Sequence, residues 1–394
     1  MVELSKKVFK ERPNAQISTS AYLLNMAIRL NAMKRVLKKT GSIYLHCDPT
    51  ASHYLKMIMD AVFGNENFKN EISWCYKRMS TKGQTHFSRC HDIVFWYGNG
   101  TPKFNVDAVR LPYAESSKKR AGYAKTSLGG GAPESGVCEL NEDGRFPEDW
   151  WEIPFIRPNS KERLGYPTQK PLALLERIIK ASSDRNDVVL DPFCGCGTTV
   201  HAAESLKRQW IGIDISQFSA GLIRNRLLKN FTYLDRKDIP ILGCPLTVAD
   251  AEDLADSDRF EFEKWACGEV GAQGLYHEPG ERGSDGGVDG VIPFYFSKEG
   301  LGTGPPEKTF AVLQVKSGKV NPDNVKALST TVRQSGAKCG VFICFEKYMN
   351  TVENNREKKK LKDWTGEFNF IQGLSVERII NGEMPNIPGL RKAA

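Results

Sequence analysis

Two carboxylates frame the stretch of this 394-residue chain where chemistry is most concentrated. Asp191 and Asp214 fall at or just past the ends of two short apolar runs, Val188-Val189-Leu190 and Trp210-Ile211-Gly212-Ile213. The turn Asp191-Pro192-Phe193-Cys194-Gly195-Cys196-Gly197-Thr198-Thr199 follows the first run. A carboxylate after such a strand can accept two hydrogen bonds from a vicinal diol, the way α/β folds hold ribose, so the expected ligand is a nucleoside. Gly195 and Gly197 permit a tight turn with close backbone approach. A dinucleotide fingerprint needs a small residue where Val200 stands, which disfavours a nicotinamide-dependent oxidoreductase. A second set lies far downstream. In Phe310-Ala311-Val312-Leu313-Gln314-Val315-Lys316 strand alternation puts Gln314 and Lys316 on one face, and Asp289 precedes another strand. An acid and a strand-borne polar residue can hold Mg²⁺, while a lysine two positions on can orient or activate the attacking water.

Bringing Asp191 and Asp214 to one crevice requires a parallel strand–turn–helix–strand unit. The sequence has this pattern, with Val200, Ala203 and Leu206 at helical spacing between the two apolar runs. Upstream, Leu23, Met26, Ala27, Leu30, Met33 and Leu37 recur at three and four, and Gly41 after Lys38 and Lys39 predicts a helix stop. Ser42-Ile43-Tyr44-Leu45-His46 then predicts a strand, Tyr54 to Phe63 a second helix, and Asn70-Glu71-Ile72-Ser73-Trp74 another strand. The alternation predicts an α/β fold whose sheet is completed by N-terminal elements. His46, Asp48 and His53 could be taken for metal ligands, but a cap at Asp48 or Thr50 explains them without metal. Downstream, Phe260, Phe262, Trp265 and Ala266 predict a short amphipathic helix and Val341-Phe342-Ile343-Cys344-Phe345 a core strand, as in a second, smaller α/β domain.

The turn from Asp191 to Thr199, with Tyr166-Pro167-Thr168-Gln169-Lys170-Pro171 upstream, resembles the cofactor loop and adjoining segment of the S-adenosylmethionine-dependent DNA amino-methyltransferases. These enzymes methylate adenine N6 or cytosine N4. The stretch from Arg35 to Lys56, and Ser88-Arg89-Cys90-His91-Asp92 before Ile93-Val94-Phe95-Trp96-Tyr97, resemble the same family. The resemblance implies a Rossmann-like sheet, S-adenosyl-L-methionine as cofactor and double-stranded DNA as partner. It implies Thr168, Gln169, Lys170, Asp191, Phe193, Gly195, Gly197, Thr198 and Asp214 as cofactor-binding residues, with Asp214 on the ribose hydroxyls and Phe193 against the adenine or methionine end. Adenine N6 is the expected target ahead of cytosine N4. The downstream segment resembles restriction-endonuclease-like nucleases of the Mrr type, in which glutamine can replace the usual acid. That resemblance implies Asp289, Gln314 and Lys316 as a nuclease-like set, Asp289 and Gln314 as Mg²⁺ ligands, and Glu263 as a source of a further carboxylate. Together the two suggest a restriction-modification polypeptide.

One family feature is absent. Amino-methyltransferases carry an (Asp/Asn/Ser)-Pro-Pro-(Tyr/Phe/Trp) tetrapeptide whose leading residue accepts a hydrogen bond from the exocyclic amine. The one Pro-Pro pair here, Pro305-Pro306, lies between Gly304 and Glu307. In the subgroup where that motif precedes the cofactor loop it would fall upstream of Met1. The expectation is therefore a sequence truncated at its N-terminus, with these residues alone inactive or nearly so. The competing reading is a Mg²⁺-dependent DNA nuclease or DNA-binding protein with a degenerate methyltransferase-like domain.

A net charge of +8 favours an acidic partner such as nucleic acid. With 40% hydrophobic and 26% charged residues the balance is that of a soluble globular chain, and no apolar run approaches a membrane span. Ten scattered cysteines, without a second pair at zinc spacing or a signal-peptide core, predict a reducing cytoplasm. The length suits two domains. Residues 1–234 are expected to form the methyltransferase domain, with a target-recognition insertion at about 81–158. There Lys82, Lys103, Lys118, Lys119, Arg120 and Lys125 interleave with Tyr113, Tyr123, Trp150 and Trp151, around the breaker run Gly129-Gly130-Gly131. Residues 235–258 read as a linker and 259–394 as the restriction-endonuclease-like domain.

Overall fold

The computed structural model describes residues 13–78, 85–119, 140–160, 162–164, 166, 168–274, 287–296, 307–363 and 366–388. Lys82, Arg120, Tyr123, Lys125, the Gly129-Gly130-Gly131 run, Pro167 and the Gly304-Pro305-Pro306 segment lie outside the described residues. The chain divides into two compact units. The first holds Met1–Arg157, Lys170–Val189 and Ala202–Gln209; the second holds Pro158–Gln169, Leu190–His201 and Trp210–Ala394.

The first unit is a sheet covered on both faces. Helix α1 (Pro13–Val36), strand β1 (Ser42–Cys47), helix α2 (Ser52–Phe63), strands β2 (Phe68–Cys75), β3 (His91–Gly98) and β4 (Trp150–Glu152), and helix α3 (Leu172–Ser182) compose it. Sheet order is β1-β3-β2-β4, with β1 and β2 antiparallel to β3 and β4 parallel to β2. The apolar periodicity of α1 and α2 is used on one face, where Met26, Leu30, Leu55, Met59 and Phe63 meet Phe95 and Tyr97. Alternate strand residues Ile72, Trp74, Val94 and Trp96 pack with Trp151 and Leu174 on the other. Asp48 Oδ1 accepts the Thr50 and Ala51 N–H groups at 3.0 Å each, closing the turn before α2. His46 Nε2 lies 3.0 Å from Asp92 Oδ2, and because the N-cap of α2 is Ala51, with no side-chain cap, Asp48 closes the preceding turn rather than capping the helix as expected.

Strand β5 (Val188–Asp191), helix α4 (Thr198–Ser205) and strand β6 (Gln209–Gly212) each pass from one unit to the other along the chain. The Gln209 N–H donates to Asp187 O and the Ile213 N–H to Asp191 O, both at 2.9 Å and at the same offset, so the strands run parallel as expected. Among the described residues they form a two-stranded sheet of their own, rather than extending the four-stranded one. A shared sheet needs a hydrogen-bonded ladder between the two sets, and the described strands provide none.

The second unit is built on a five-stranded sheet, order β11-β10-β9-β8-β7, from β7 (Gln273–Gly274), β8 (Gly290–Phe296), β9 (Glu307–Val315), β10 (Cys339–Cys344) and β11 (Ile371–Ser375). Strands β9, β10 and β11 are parallel; β8 runs antiparallel to β9. Helix α8 (Pro322–Ser335) covers one face through Val325, Leu328 and Val332. On the other face, Ala311, Leu313, Val315 and Val341 pack in one cluster with Phe262, Trp265 and Ala266 of helix α7 (Arg259–Glu269) and with Phe218 and Leu222 of helix α5 (Gln217–Asn230). The stretch expected as a linker contributes to this core. It contains the 3₁₀ turn Arg236–Asp238 and helix α6 (Val248–Ser257), whose Ala251 is fully buried. A capping box explains the helix: Thr247 Oγ1 accepts the Asp250 N–H, and the Asp250 carboxylate accepts the Thr247 N–H.

Helices α5 and α7 meet backbone to backbone. A Cβ on Gly221 would lie 2.5 Å from the Gly268 carbonyl carbon, and one on Gly268 would lie 2.7 Å from Phe218 O. Beside this contact Arg224 donates to both carboxylate oxygens of Glu269 at 3.2 Å, Arg236 adds a bond of 2.7 Å, and Asn225 Nδ2 caps the Gly268 and Glu269 carbonyls at 3.0 Å each. The Arg224 and Glu269 side chains are 8% and 4% exposed, so removing one partner strands the other in the core. Glu269→Ala is expected to destabilise the second unit by about 3–5 kcal/mol, whereas the paired change Arg224→Met with Glu269→Met should be close to neutral. Urea unfolding of the three chains measures both.

Candidate functional site

The glycine turn is held from both sides by elements of the second unit. Gly195 (φ +48°) and Gly197 (φ +72°) adopt left-handed backbone, and a Cβ on Gly197 would lie 2.6 Å from Ile223 Cγ1 of α5. Any other residue would strain the turn and displace the helix beneath it. The ring of Tyr166 lies over Gly195 on the other side, its hydroxyl 3.5 Å from Ser219 Oγ.

Asp191 and Asp214 reach the turn from its two flanking strands. Asp191 accepts the Phe193 N–H at 3.0 Å and the Thr199 hydroxyl at 2.5 Å. Burial raises its carboxyl above the usual range against those two hydrogen bonds, and the charge of Asp214 adds to the rise. Asp214 accepts the Gly195 N–H at 2.8 Å on one oxygen and the Ser216 N–H at 3.0 Å on the other. A carboxylate has about four acceptor positions, so Asp214 keeps one on each oxygen for a diol. The Phe193 ring is 46% exposed and presents a flat apolar face to solvent. These features fit a nucleoside cofactor: acceptors for ribose, an exposed ring, and glycines that keep the backbone approachable.

Other expected residues have different surroundings. Gln169 folds its own segment, accepting the Leu164 N–H at 2.8 Å and donating to Glu162 O at 2.7 Å, while Thr168 is exposed. Thr198 is buried, and its hydroxyl accepts from Arg226 at 3.1 Å. Lys170 belongs to the first unit. There burial opposes ionisation of Asp92, but the His46 and Tyr76 hydrogen bonds and the charges of His46 and Lys170 prevail and hold Asp92 below the usual carboxylate range.

Sequence reasoning missed Arg226. This α5 residue, 6% exposed, donates through one guanidinium nitrogen to Cys196 O and Thr198 Oγ1 at 3.1 Å each and through another to His201 Nδ1 at 3.1 Å. Burial and the Arg226 charge lower His201 to about 4, so the imidazole is neutral and free to accept. A cation thus fixes the floor of the glycine turn. The only signal in the sequence was a second arginine on a helix face otherwise lined by Leu222, Ile223 and Leu227.

The downstream set also assembles within the second unit. The Asp289 carboxylate accepts the Val315 N–H at 2.7 Å, which ties it to β9 between Gln314 and Lys316. Gln314 is 7% exposed, and its Oε1 is buried without a hydrogen-bond partner among the described residues. Such an orphaned acceptor, on the strand whose Val315 N–H holds the Asp289 carboxylate, fits a hard cation. Glu263 of α7, bonded to Arg259 at 2.9 Å, adds negative charge to the site. Burial raises Asp289 to about 6, and Glu263 adds to the rise against the Val315 hydrogen bond and the charges of Lys316 and Arg259.

Asp289 therefore titrates above its ordinary value of 3.8, and the native state binds its proton more tightly than the unfolded chain does. The resulting stability is present at low pH and is lost as pH rises from about 4 to about 6. Asp289→Asn is expected to match the parent chain near pH 4 and exceed it in urea midpoint at pH 8.

Comparison with known proteins gives this geometry a lineage. A DNA methylase family of the N6/N4 type matches residues 4–224, and the Mrr-type restriction endonuclease family matches residues 254–367. The type II methyltransferase M.HpaI of Haemophilus parainfluenzae is 32% identical over 218 residues, covering 55% of this chain and 62% of its own. The type II methyltransferase M2.DpnII of Streptococcus pneumoniae is 45% identical over 197 residues, covering 49% and 63%. The DNA adenine methyltransferase YhdJ of Escherichia coli K12 is 32% identical over 186 residues, covering 46% and 58%. The chain thus spans about three-fifths of the length of these relatives. Among the described residues no helix is long and apolar enough to cross a membrane. The chain belongs to the N6/N4 DNA methylase family and carries, after that homology, a domain of the Mrr restriction endonuclease type.

Proposed function

We propose that this chain binds S-adenosyl-L-methionine and serves a site-specific DNA methyltransferase acting on an exocyclic base amine, adenine N6, in a restriction-modification setting. The observation that carries this is the Asp214 carboxylate, held by Gly195 and Ser216 with acceptors left for a diol, beside a left-handed glycine turn and the exposed Phe193 ring. When bound, the cofactor supplies a methyl group on a sulfonium. The chain's own residues orient it: Asp214 on the ribose hydroxyls, Phe193 against a planar face, and Asp191 with Thr199 keeping the turn in register. The adenine assignment is supported by likeness to a relative named as a DNA adenine methyltransferase. Double-stranded DNA is the proposed partner, consistent with the charge of +8. None of the 394 residues forms the (Asp/Asn/Ser)-Pro-Pro-aromatic tetrapeptide that would polarise the amine.

Calorimetry should show S-adenosylmethionine binding by the parent chain and its loss or strong weakening in Asp214→Ala; equal binding by both refutes the assignment. With tritiated cofactor and duplex DNA, these residues alone should transfer little or no label. A version extended to include such a tetrapeptide should transfer it.

A second reading is favoured by the orphaned Gln314 oxygen. Asp289 and Gln314, with Glu263, would hold Mg²⁺, which would neutralise charge on a phosphodiester, and Lys316 would orient or activate the attacking water. Supercoiled plasmid with Mg²⁺ should be nicked by the parent chain and not by Lys316→Ala, and unchanged cleavage by the variant rules this site out.

A further inference from the structure

Helix α5 touches the glycine turn along one face and α7 along another. Toward the turn, Ile223 fills the space beside Gly197, Arg226 holds Cys196 and Thr198, and Leu227 is fully buried with Cys194 and Val200. Toward α7, Gly221 meets Gly268 backbone to backbone and Arg224 is buried against Glu269. Helix α7 in turn lies on the five-stranded sheet: Phe262 stacks on Phe345 with centroids 5.5 Å apart, and Cys267 Sγ lies 3.6 Å from Asp289 O. Cys196 of the turn belongs to the same apolar cluster as Leu313 and Val315, the strand residues flanking Gln314. The side chains named along this path are buried. An interface made of buried ion pairs and glycine contacts has no soft plane along which to open, because separating it would uncover an unpaired Arg224 or Glu269.

We propose that the glycine turn and the C-terminal sheet unfold as one cooperative unit, so that a cofactor held by the turn stabilises the sheet carrying Asp289 and Gln314. The sheet that carries the nuclease-like residues is thereby stabilised by the cofactor through linkage: a ligand that binds only the native unit lowers the population of every opened form of it. No separate signalling movement is needed. The cofactor part of this inference rests on the S-adenosylmethionine assignment above; the shared unfolding does not.

Native-state hydrogen exchange on the full chain tests both parts. Leu227→Ala opens a cavity beneath the turn, remote in sequence from the sheet. The slowest amides of α5, α7, β9 and β10 should all exchange faster by one common factor, about 30-fold or more. Ile223→Val, a milder change expected to give a factor of about 2–10, serves if Leu227→Ala does not fold. Acceleration confined to α5, with β9 and β10 unchanged, overturns the proposal. S-adenosylmethionine at 100 times its dissociation constant should then slow β9 and β10 by the same factor as α5, about 100-fold. Binding seen by calorimetry without protection of β9 and β10 also overturns it. Absence of binding refutes the cofactor assignment alone, and the Leu227→Ala result still decides whether the unit is shared.

Discussion

The second unit depends on one close contact, the crossing of α5 and α7 at Gly221 and Gly268. Helices with ordinary side chains keep their axes about 8–10 Å apart. Here any side chain on either glycine would meet backbone atoms of the partner helix within 3 Å. That proximity brings Arg224 onto Glu269 and lets Asn225 cap the end of α7. Phe218 and Leu222 thereby join the core of the five-stranded sheet. Widening the crossing would lose these contacts together, since all sit on the same two helical turns.

Charge burial is distributed unevenly, and the pattern separates scaffold from site. Arg224 and Glu269 lie in the core but answer one another, with Arg236 closing the cluster. Arg226 is engaged by the turn's carbonyl and hydroxyl and by a neutral His201. These charges are each paired or hydrogen-bonded, as buried charges must be, although Arg224 Nε itself has no partner among the described residues. Asp289 and Gln314 differ. Among the described residues Asp289 has one backbone donor for two oxygens, with burial raising its pKa to about 6, and Gln314 Oε1 has no hydrogen-bond partner. Unanswered polarity of this kind costs stability and persists where a ligand answers it. Asp214 is an intermediate case, anchored by two backbone donors yet with acceptors to spare.

By itself the sequence determined the local chemistry: the acids placed after apolar runs, the glycines of the turn, the apolar spacing of α1 and α2, and the alternation that sets Gln314 and Lys316 on one strand. These are short-range properties, readable because steric limits on φ and side-chain periodicity act within a few residues. Tertiary structure alone decided what several of those residues touch. Gln169 and Thr198 belong to a cofactor-like motif, yet their polar atoms close local hydrogen bonds, because the partners come from Glu162, Leu164 and Arg226. The buried role of Arg226 was invisible, since a lone arginine on a helix reads as solvated until packing removes the solvent. The stretch from 235 to 258 looked like a linker because its prolines and acids mask the Thr247–Asp250 box, and only the core around Ala251 gives it a place. Pairing of strands was likewise beyond the sequence: which edges join depends on hydrogen bonds between residues far apart in the chain, and local pattern carries no information about that distance.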